Sequence, residues 1–186
     1  LLIVTFLFFN SFSQGALFHT FSSGEWNSYT ATATDTSNGW LASSIYSNPV
    51  EDTLMFVDDG TVGNNAQGYP ISAEGCDSLI NDLTGKIAVI YRNTCLFDDK
   101  VYNAQMAGAI GAVIINRTSG TMNMVTDNIP AGITIPAVFV DSLTGTKILQ
   151  QMLAGTVIGR LGTKLPSYLP LNGLVGYWPF NGGADR

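Results

Sequence analysis

The stretch Gly85–Asn116 constrains the fold of this chain most, because it contains a strand, a helix and a second strand in close succession. Lys86–Tyr91 is a short apolar run rich in β-branched residues, lying between a glycine and a polar turn, which predicts a buried strand. Asp98 and Asp99 then place negative charge where a helix N-terminus favours it. Small residues follow, typical of a helix that lies close against a sheet, and Ala112–Ile115 predicts the next buried strand.

Further strands and one more helix are predicted on both sides of this unit. The turn Ser22–Gly24 predicts that the first two strands pair as a hairpin. The second helix is expected to begin after Asp141 or Ser142 as N-cap and to end before Gly155. The predicted strands are Ala16–Phe21, Trp26–Ala33, Trp40–Tyr46, Thr53–Val57, Ile135–Val140 and Thr156–Leu161, and the helix is Ser142–Leu153.

Composition excludes several classes of function. The chain is 46% hydrophobic and 12% charged with 20 glycines, which resembles an extracellular β-rich protein more than a helical cytosolic one. A net charge of -6 with only eight scattered Lys and Arg residues argues against nucleic acid as a partner. The longest apolar run, Leu1–Phe9, is shorter than the roughly 20 residues that a membrane-spanning helix needs, so we expect no membrane span.

The N-terminus has the features of a secretory signal. Leu1–Phe9 is followed by small residues at Ser11 and Ser13, the pattern of a signal-peptidase site. We therefore predict a signal peptide over residues 1–13, truncated at its start, and a protein that is secreted, extracellular or at the cell surface. The alternative is that this run forms a buried first strand.

Cys76 and Cys95 are the only cysteines. An even count in an exported chain favours a disulfide, which would close a short loop and stabilise the fold by about 3 kcal/mol. A catalytic thiol would need a nearby base, and a metal site would need further soft ligands. The disulfide is the prediction that we carry forward.

Catalytic, metal and cofactor chemistry finds little support in the sequence. His19 is the single histidine, so the chain cannot assemble a histidine cluster for a metal, and a Ser-His-Asp triad could use no other histidine as its base. Asp58 and Asp59 lie in a stretch rich in Asp, Asn and Gly, which is either a surface loop or a weak calcium site. The spacing differs from that of an EF-hand loop, so the loop interpretation is favoured. We predict no catalytic residue and no cofactor.

A series of motifs runs from residue 76 to residue 137: Cys76-Asp77-Ser78-Leu79, Gly85-Lys86-Ile87-Ala88-Val89-Ile90, Arg92-x-x-Cys95-x-Phe97-x-x-Lys100, Asn103-Ala104-x-x-Ala107-Gly108-Ala109-x-Gly111, Val113-Ile114-Ile115 and Ile135-Pro136-Ala137. The order of these motifs resembles that of the protease-associated (PA) domain family. Asn93 replaces the glycine usual after the arginine, and asparagine tolerates the left-handed backbone of such a turn. The resemblance assigns residues 14–164 to a PA-like domain with its diagnostic core at residues 53–161.

The resemblance implies an α/β (α+β) fold with a β-sheet or open-barrel core and two main helices. It also implies binding rather than catalysis, through a peptide or protein ligand, and it agrees with a bridge between Cys76 and Cys95. The motif arginine of similar domains contacts peptide, which points here to Arg92 with its neighbours Asn93 and Thr94. Arg92 as a solvated turn residue or as an ion-pair partner of Asp98 or Asp99 is the structural alternative.

A second resemblance begins at the end of the chain. Gly173–Gly182 is similar to the first strand of a laminin-G or concanavalin A-like jelly roll, so residues 173–186 are expected to open such a domain after a linker at 165–172. Three functions are therefore considered. The first is an interaction module of a larger secreted, bacterial multidomain protein. The second is an accessory domain that limits substrate access to a catalytic domain of the same polypeptide, such as an extracellular protease, and the third is carbohydrate adhesion through the jelly roll.

Overall fold

The computed structural model describes residues 17–42, 44–125 and 132–162. The signal peptide, the linker and the jelly-roll strand predicted above lie outside these residues and stay predictions. Eight strands and two α-helices make up the described part, together with 3₁₀-helices at Thr36–Asn38 and Ile71–Glu74. The elements are β1 Phe18–Ser22, β2 Glu25–Tyr29, β3 Thr32–Ala33, β4 Val50–Phe56, β5 Ile87–Tyr91, α1 Phe97–Met106, β6 Gly111–Ile115, β7 Ala137–Val140, α2 Ser142–Ala154 and β8 Ile158–Leu161.

The strands form one mixed sheet in the order β2-β1-β8-β4-β5-β6-β7-β3. The β4–β5–β6–β7 portion is parallel, whereas β1, β2, β3 and β8 pair antiparallel with their neighbours. The predicted α/β fold with a β-sheet core and two main helices is confirmed.

The two edges of this sheet lie close together, because the last residue of β2, Tyr29, and the first residue of β3, Thr32, are three positions apart. An extended chain covers at most about 3.6 Å per residue, so these edge strands approach to about 11 Å where they connect. The sheet therefore curls into an incompletely closed barrel. The predicted single strand over Trp26–Ala33 is wrong in this respect, since its two halves lie on opposite edges.

The two helices cover opposite faces of the parallel strands. Val101 and Ala104 of α1 pack in a cluster with Ala112 and Ile114, while Ile148 of α2 packs with the alternate residues of the same strand. All five residues of β6 are consequently buried, which explains its uninterrupted apolar sequence. The two helix predictions are confirmed, with the Asp141 carboxylate accepting from the Thr144 N–H at 2.8 Å as the N-cap of α2.

The end of α1 is fixed by Gly108. This residue has φ +92°, a left-handed conformation that glycine adopts without steric cost, and it follows the C-cap Ala107. A Cβ at Gly108 would lie 2.9 Å from the backbone of Thr84, so both the turn and its close packing require glycine.

The predicted strand over Trp40–Tyr46 is wrong, because the described residues of this segment form turns. Trp40 is 1% exposed, and its indole N–H donates to the carbonyl of Met124. The indole therefore anchors a turn through burial and one hydrogen bond. An aromatic residue in an alternating segment has the same sequence signature whether it sits in a strand or in a buried turn.

Candidate functional site

The candidate site lies where three parallel strands end. Arg92 follows β5, Asn116 follows β6 and Asp141 follows β7, so the topology brings these polar residues to one edge of the sheet. The ladder continues one step past the strands, with Arg92 N donating to Ile115 O at 2.8 Å and Asn116 N donating to Val140 O at 2.9 Å. Ligand sites of open α/β sheets commonly occupy this position.

The Arg92 side chain is half-buried against aromatic rings. Its guanidinium carbon lies 5.7 Å from the ring centroid of Phe97 and 5.9 Å from that of Phe139, within cation–π distance. It also donates to Asn116 Oδ1 at 3.0 Å. Burial, together with the positive charge of Arg117, lowers the pKa of Arg92 from its ordinary value. In the described part of the chain, Arg92 thus contacts the amide of Asn116 and the rings of Phe97 and Phe139. The alternative considered from the sequence was an ion pair with Asp98 or Asp99.

Asn116 has a structural role in this arrangement. Its side chain is 8% exposed and, besides accepting from Arg92, donates to Gly120 O at 2.8 Å. Asn116-Arg117-Thr118 matches an N-glycosylation acceptor. Attachment of a glycan would require this buried amide to leave the Arg92 contact.

Asn93 and Thr94 donate hydrogen bonds to the buried carboxylate of Glu74, a residue to which the sequence assigned no role. Glu74 is fully buried, and its Oε1 accepts from Asn93 Nδ2 at 2.9 Å and from Asn65 Nδ2 at 3.1 Å. Its Oε2 accepts from Thr94 N at 3.1 Å and from Thr94 Oγ1 at 2.9 Å. Burial alone would raise the pKa of Glu74, but the hydrogen bonds from Asn93, Asn65 and Thr94 hold it below its ordinary value of 4.5.

The disulfide between Cys76 and Cys95 is confirmed, with 5.6 Å between the two Cα atoms. It joins the segment after Glu74 to the loop after Thr94. Two side chains of α1 bind the same segment: Lys100 Nζ donates to Glu74 O at 2.6 Å, and Asn103 Nδ2 donates to Gly75 O at 3.0 Å. The loop that carries Arg92 is therefore fixed by a covalent bond, a buried carboxylate and a helix.

This loop forms one wall of a cavity of about 300 Å3. The rim includes apolar side chains that are open to solvent, with Leu96 65% and Val125 59% exposed. Its floor includes the guanidinium of Arg92 and the ring of Phe97. Such a mixture of a cation, backbone polar groups and exposed apolar side chains suits a peptide segment. The lining residues are Arg92, Asn93, Thr94, Cys95, Leu96, Phe97, Asp98 and Val125.

Asp58 and Asp59, the weak calcium alternative, accept hydrogen bonds from the backbone of their own region. Asp59 takes the N–H groups of Thr61 at 2.9 Å and Cys76 at 3.0 Å, and Asp58 takes that of Gly60 at 2.9 Å. These bonds lower the pKa of Asp59 against the opposing effect of burial. Among the residues that the structure describes, no group of three or more His, Cys, Asp or Glu side chains is placed to hold a metal.

The residues that sequence reasoning missed are Glu74 and Lys100. Glu74 stands two positions before Cys76, and Thr94 stands one position before Cys95. A disulfide brings the flanks of both cysteines together, so the predicted bridge already implied that Glu74 and Thr94 are neighbours. Lys100 is named in the sequence only as the last residue of the motif that begins at Arg92, with no role assigned to it.

Comparison with known proteins identifies the family of this fold. The model of the PA domain family matches residues 45–148, which is more than half of the chain. The chain belongs to the PA domain family. The resemblance inferred from the motifs between residues 76 and 137 is thereby confirmed, whereas the jelly roll predicted after this domain finds no support in the comparisons.

Relatives of this PA domain occur in proteins of several kinds. Minor extracellular protease Vpr of Bacillus subtilis (strain 168) is 32% identical over an alignment of 132 residues, with coverage of 65% of this chain and 16% of the protease. ER degradation-enhancing alpha-mannosidase-like protein 3 of Xenopus laevis is 37% identical over 100 residues, covering 45% of this chain and 11% of that protein. The chain thus spans less than a fifth of either relative.

Solved structures share the fold of this PA domain. The aminopeptidase from Aneurinibacillus sp. strain AM-1 aligns over 77% of this chain and 29% of its own, with a TM-score of 0.53 and 23% identity. BSAP, a zinc aminopeptidase from Bacillus subtilis, aligns over 79% of this chain and 30% of its own, with a TM-score of 0.51 and 18% identity. Within the described residues, no helix is both long and apolar enough to cross a membrane.

Proposed function

We propose that this PA domain is a non-catalytic module of a larger secreted protein and that it binds a peptide or protein segment in the cavity beside Arg92. The observation that carries the proposal is the fixed loop 92–97, which presents the Arg92 guanidinium and the exposed Leu96 side chain to the same cavity. A pre-formed loop binds with less loss of conformational entropy than a mobile one. Asn93 and Thr94 support the loop through Glu74, and their backbone groups remain beside the cavity.

Arg92→Ala is expected to weaken peptide binding at least tenfold, because truncating a partly desolvated cation at an interface typically costs about 2 kcal/mol or more. The probe is a peptide selected on the 186-residue chain from a displayed random library, with affinity measured by calorimetry. Lys147→Ala is the matched control, since it removes an exposed cation on α2. Equal affinities of wild type and Arg92→Ala would remove Arg92 from the site.

A second function, control of substrate access in an extracellular peptidase, is favoured by the comparisons with Vpr and with the solved aminopeptidases. On this proposal the catalytic domain of the same polypeptide is the partner. Deleting the PA domain from the full-length protein should then leave cleavage of a short chromogenic peptide within about twofold while changing cleavage of a folded protein substrate several-fold. A deletion that changes neither rate in a correctly folded enzyme would contradict this role.

A further inference from the structure

Lys100 is a buried cation that has no role in the proposed peptide binding. The residue is fully buried on α1, and its ammonium donates to the carbonyl of Glu74 at 2.6 Å. The same Nζ lies 3.6 Å from Sγ of Cys76. A buried lysine is costly unless the charge is paired or used, so its position beside one particular sulfur needs an explanation.

The two sulfurs of the disulfide differ in their surroundings. Both cysteines are partly buried, but of the two only Cys95 lines the cavity beside Arg92, between exposed Thr94 and exposed Leu96. Cys76 is the sulfur that faces the ammonium, and its own N–H is held by Asp59. A nucleophile that enters through this cavity therefore meets Cys95.

We propose that Sγ of Cys95 is a site of thiol–disulfide exchange with an external dithiol, and that Lys100 directs this exchange by stabilising Cys76 as the leaving thiolate. A thiolate of the dithiol attacks Sγ of Cys95, the bond between the two protein sulfurs breaks, and its electron pair leaves with Cys76. The second thiol of the dithiol then attacks the mixed disulfide and releases Cys95. The protein disulfide gains two electrons, and the dithiol is oxidised to its own disulfide.

The electrostatics around Lys100 support this direction of attack. Exchange is faster when the departing sulfur is the better-stabilised thiolate, and a neighbouring cation provides that stabilisation. Burial lowers the pKa of Lys100 to about 8, although the carboxylates of Glu74, Asp59 and Asp99 counteract the shift. The side chain is therefore a cation at neutral pH. The three carboxylates oppose a negative charge at Cys76, and the direct contact between Nζ and Sγ at 3.6 Å is the interaction that favours Cys76 as the leaving thiolate.

Reduction would alter the wall of the cavity without dismantling the domain. The covalent link between the two segments would be lost, whereas the Glu74 hydrogen bonds to Asn93 and Thr94 would remain. Reduction breaks the covalent bond that holds Cys95–Leu96 to the segment at Cys76, and this part of the loop forms the rim of the cavity. Exchange at Cys95 would therefore make Cys95–Leu96 more mobile and in this way change the binding surface.

The direction of attack can be tested directly on the 186-residue chain. The protein is treated with glutathione as the probe thiol, quenched with iodoacetamide, and mapped by peptide mass spectrometry. The expected product carries glutathione on Cys95 and the alkyl group on Cys76. Glutathione found mainly on Cys76, or an equal mixture of both products, would overturn the assignment. No peptide ligand takes part, so the result is independent of the proposed binding function.

The role of Lys100 is tested by the rate of reduction with dithiothreitol. Lys100→Met is expected to slow reduction about three- to tenfold, since the leaving thiolate loses its cation, while Lys100→Arg should retain most of the rate. Asn103→Leu is the matched control, because it removes a neutral donor to the same segment and should reduce at the wild-type rate. Equal rates for wild type and Lys100→Met would refute the role of the ammonium. If Lys100→Met does not fold, the position of glutathione on the wild-type protein, Cys95 or Cys76, decides whether the proposed direction of exchange is correct.

Discussion

Glu74→Gln is expected to lower the free energy of unfolding by about 2–3 kcal/mol, although it changes a single atom. The carboxylate accepts four hydrogen bonds, and an amide cannot accept on both of its ends. With its NH2 toward Thr94, it faces a backbone N–H that has lost its acceptor. With its NH2 toward Asn65 and Asn93, it meets two amide NH2 groups, whose oxygens cannot turn toward it without losing the bonds that they accept from Tyr69 and Arg117. Chemical denaturation at neutral pH measures the loss.

The control for this substitution is Asp82→Asn. Asp82 also accepts from the N–H and the hydroxyl of one threonine, Thr84, at 2.9 and 2.6 Å, but it is exposed to solvent. Water can replace the lost acceptor there, so the change in unfolding free energy should stay within about 0.5 kcal/mol. A loss for Glu74→Gln no larger than that of Asp82→Asn would show that burial of the Glu74 network contributes nothing.

The same substitution has a defined pH dependence. The folded state holds the pKa of Glu74 below its ordinary value of 4.5, so the folded form binds fewer protons there than the unfolded chain. The stabilisation from Glu74 is fully present above pH 4.5 and is lost as the pH falls from 4.5 through the lower folded pKa. The difference in stability between wild type and Glu74→Gln should therefore shrink only in that acidic range. A difference that is constant from pH 7 to pH 3 would contradict the assignment.

The sequence predicts the elements of this fold well where burial on both faces leaves a strong local signal. β5 and β6 are uninterrupted buried runs rich in β-branched residues, and Gly108 and Asp141 mark helix boundaries through local backbone requirements. Trp40 and the segment after Tyr29 were misassigned because their conformations depend on partners far along the chain. The indole of Trp40 reaches the carbonyl of Met124, and Thr32 pairs with Phe139 of β7.

The candidate site was predictable only in part for the same reason. Arg92 and the disulfide have signatures in the sequence, namely a polar turn after a buried strand and an even cysteine count. The roles of Glu74 and Lys100 depend on which atoms face them after folding, and a charged residue is most often exposed. Asn93 and Thr94 were predicted as ligand contacts. Their side chains support the loop through Glu74, and a direct peptide contact from them stays a prediction.

Removing the disulfide with Cys76→Ala and Cys95→Ala together is expected to lower the free energy of unfolding by about 3 kcal/mol, because the unfolded chain is released from a loop closed over a sequence separation of 19 residues. Thermal and chemical denaturation of the double variant measure this loss. Retention of full stability would mean that the Glu74 network alone fixes the loop.

Combining the cysteine substitutions with Glu74→Gln shows whether the covalent and the hydrogen-bonded supports act together. Both hold the segment at Glu74–Cys76 against the loop at Asn93–Cys95, so their energies should couple by more than about 0.5 kcal/mol in a double-mutant cycle. Without the disulfide the loop can move away from an altered residue 74, and the penalty of the buried amide should be smaller. Strict additivity would show instead that the loop keeps one conformation whether or not the sulfurs are bonded.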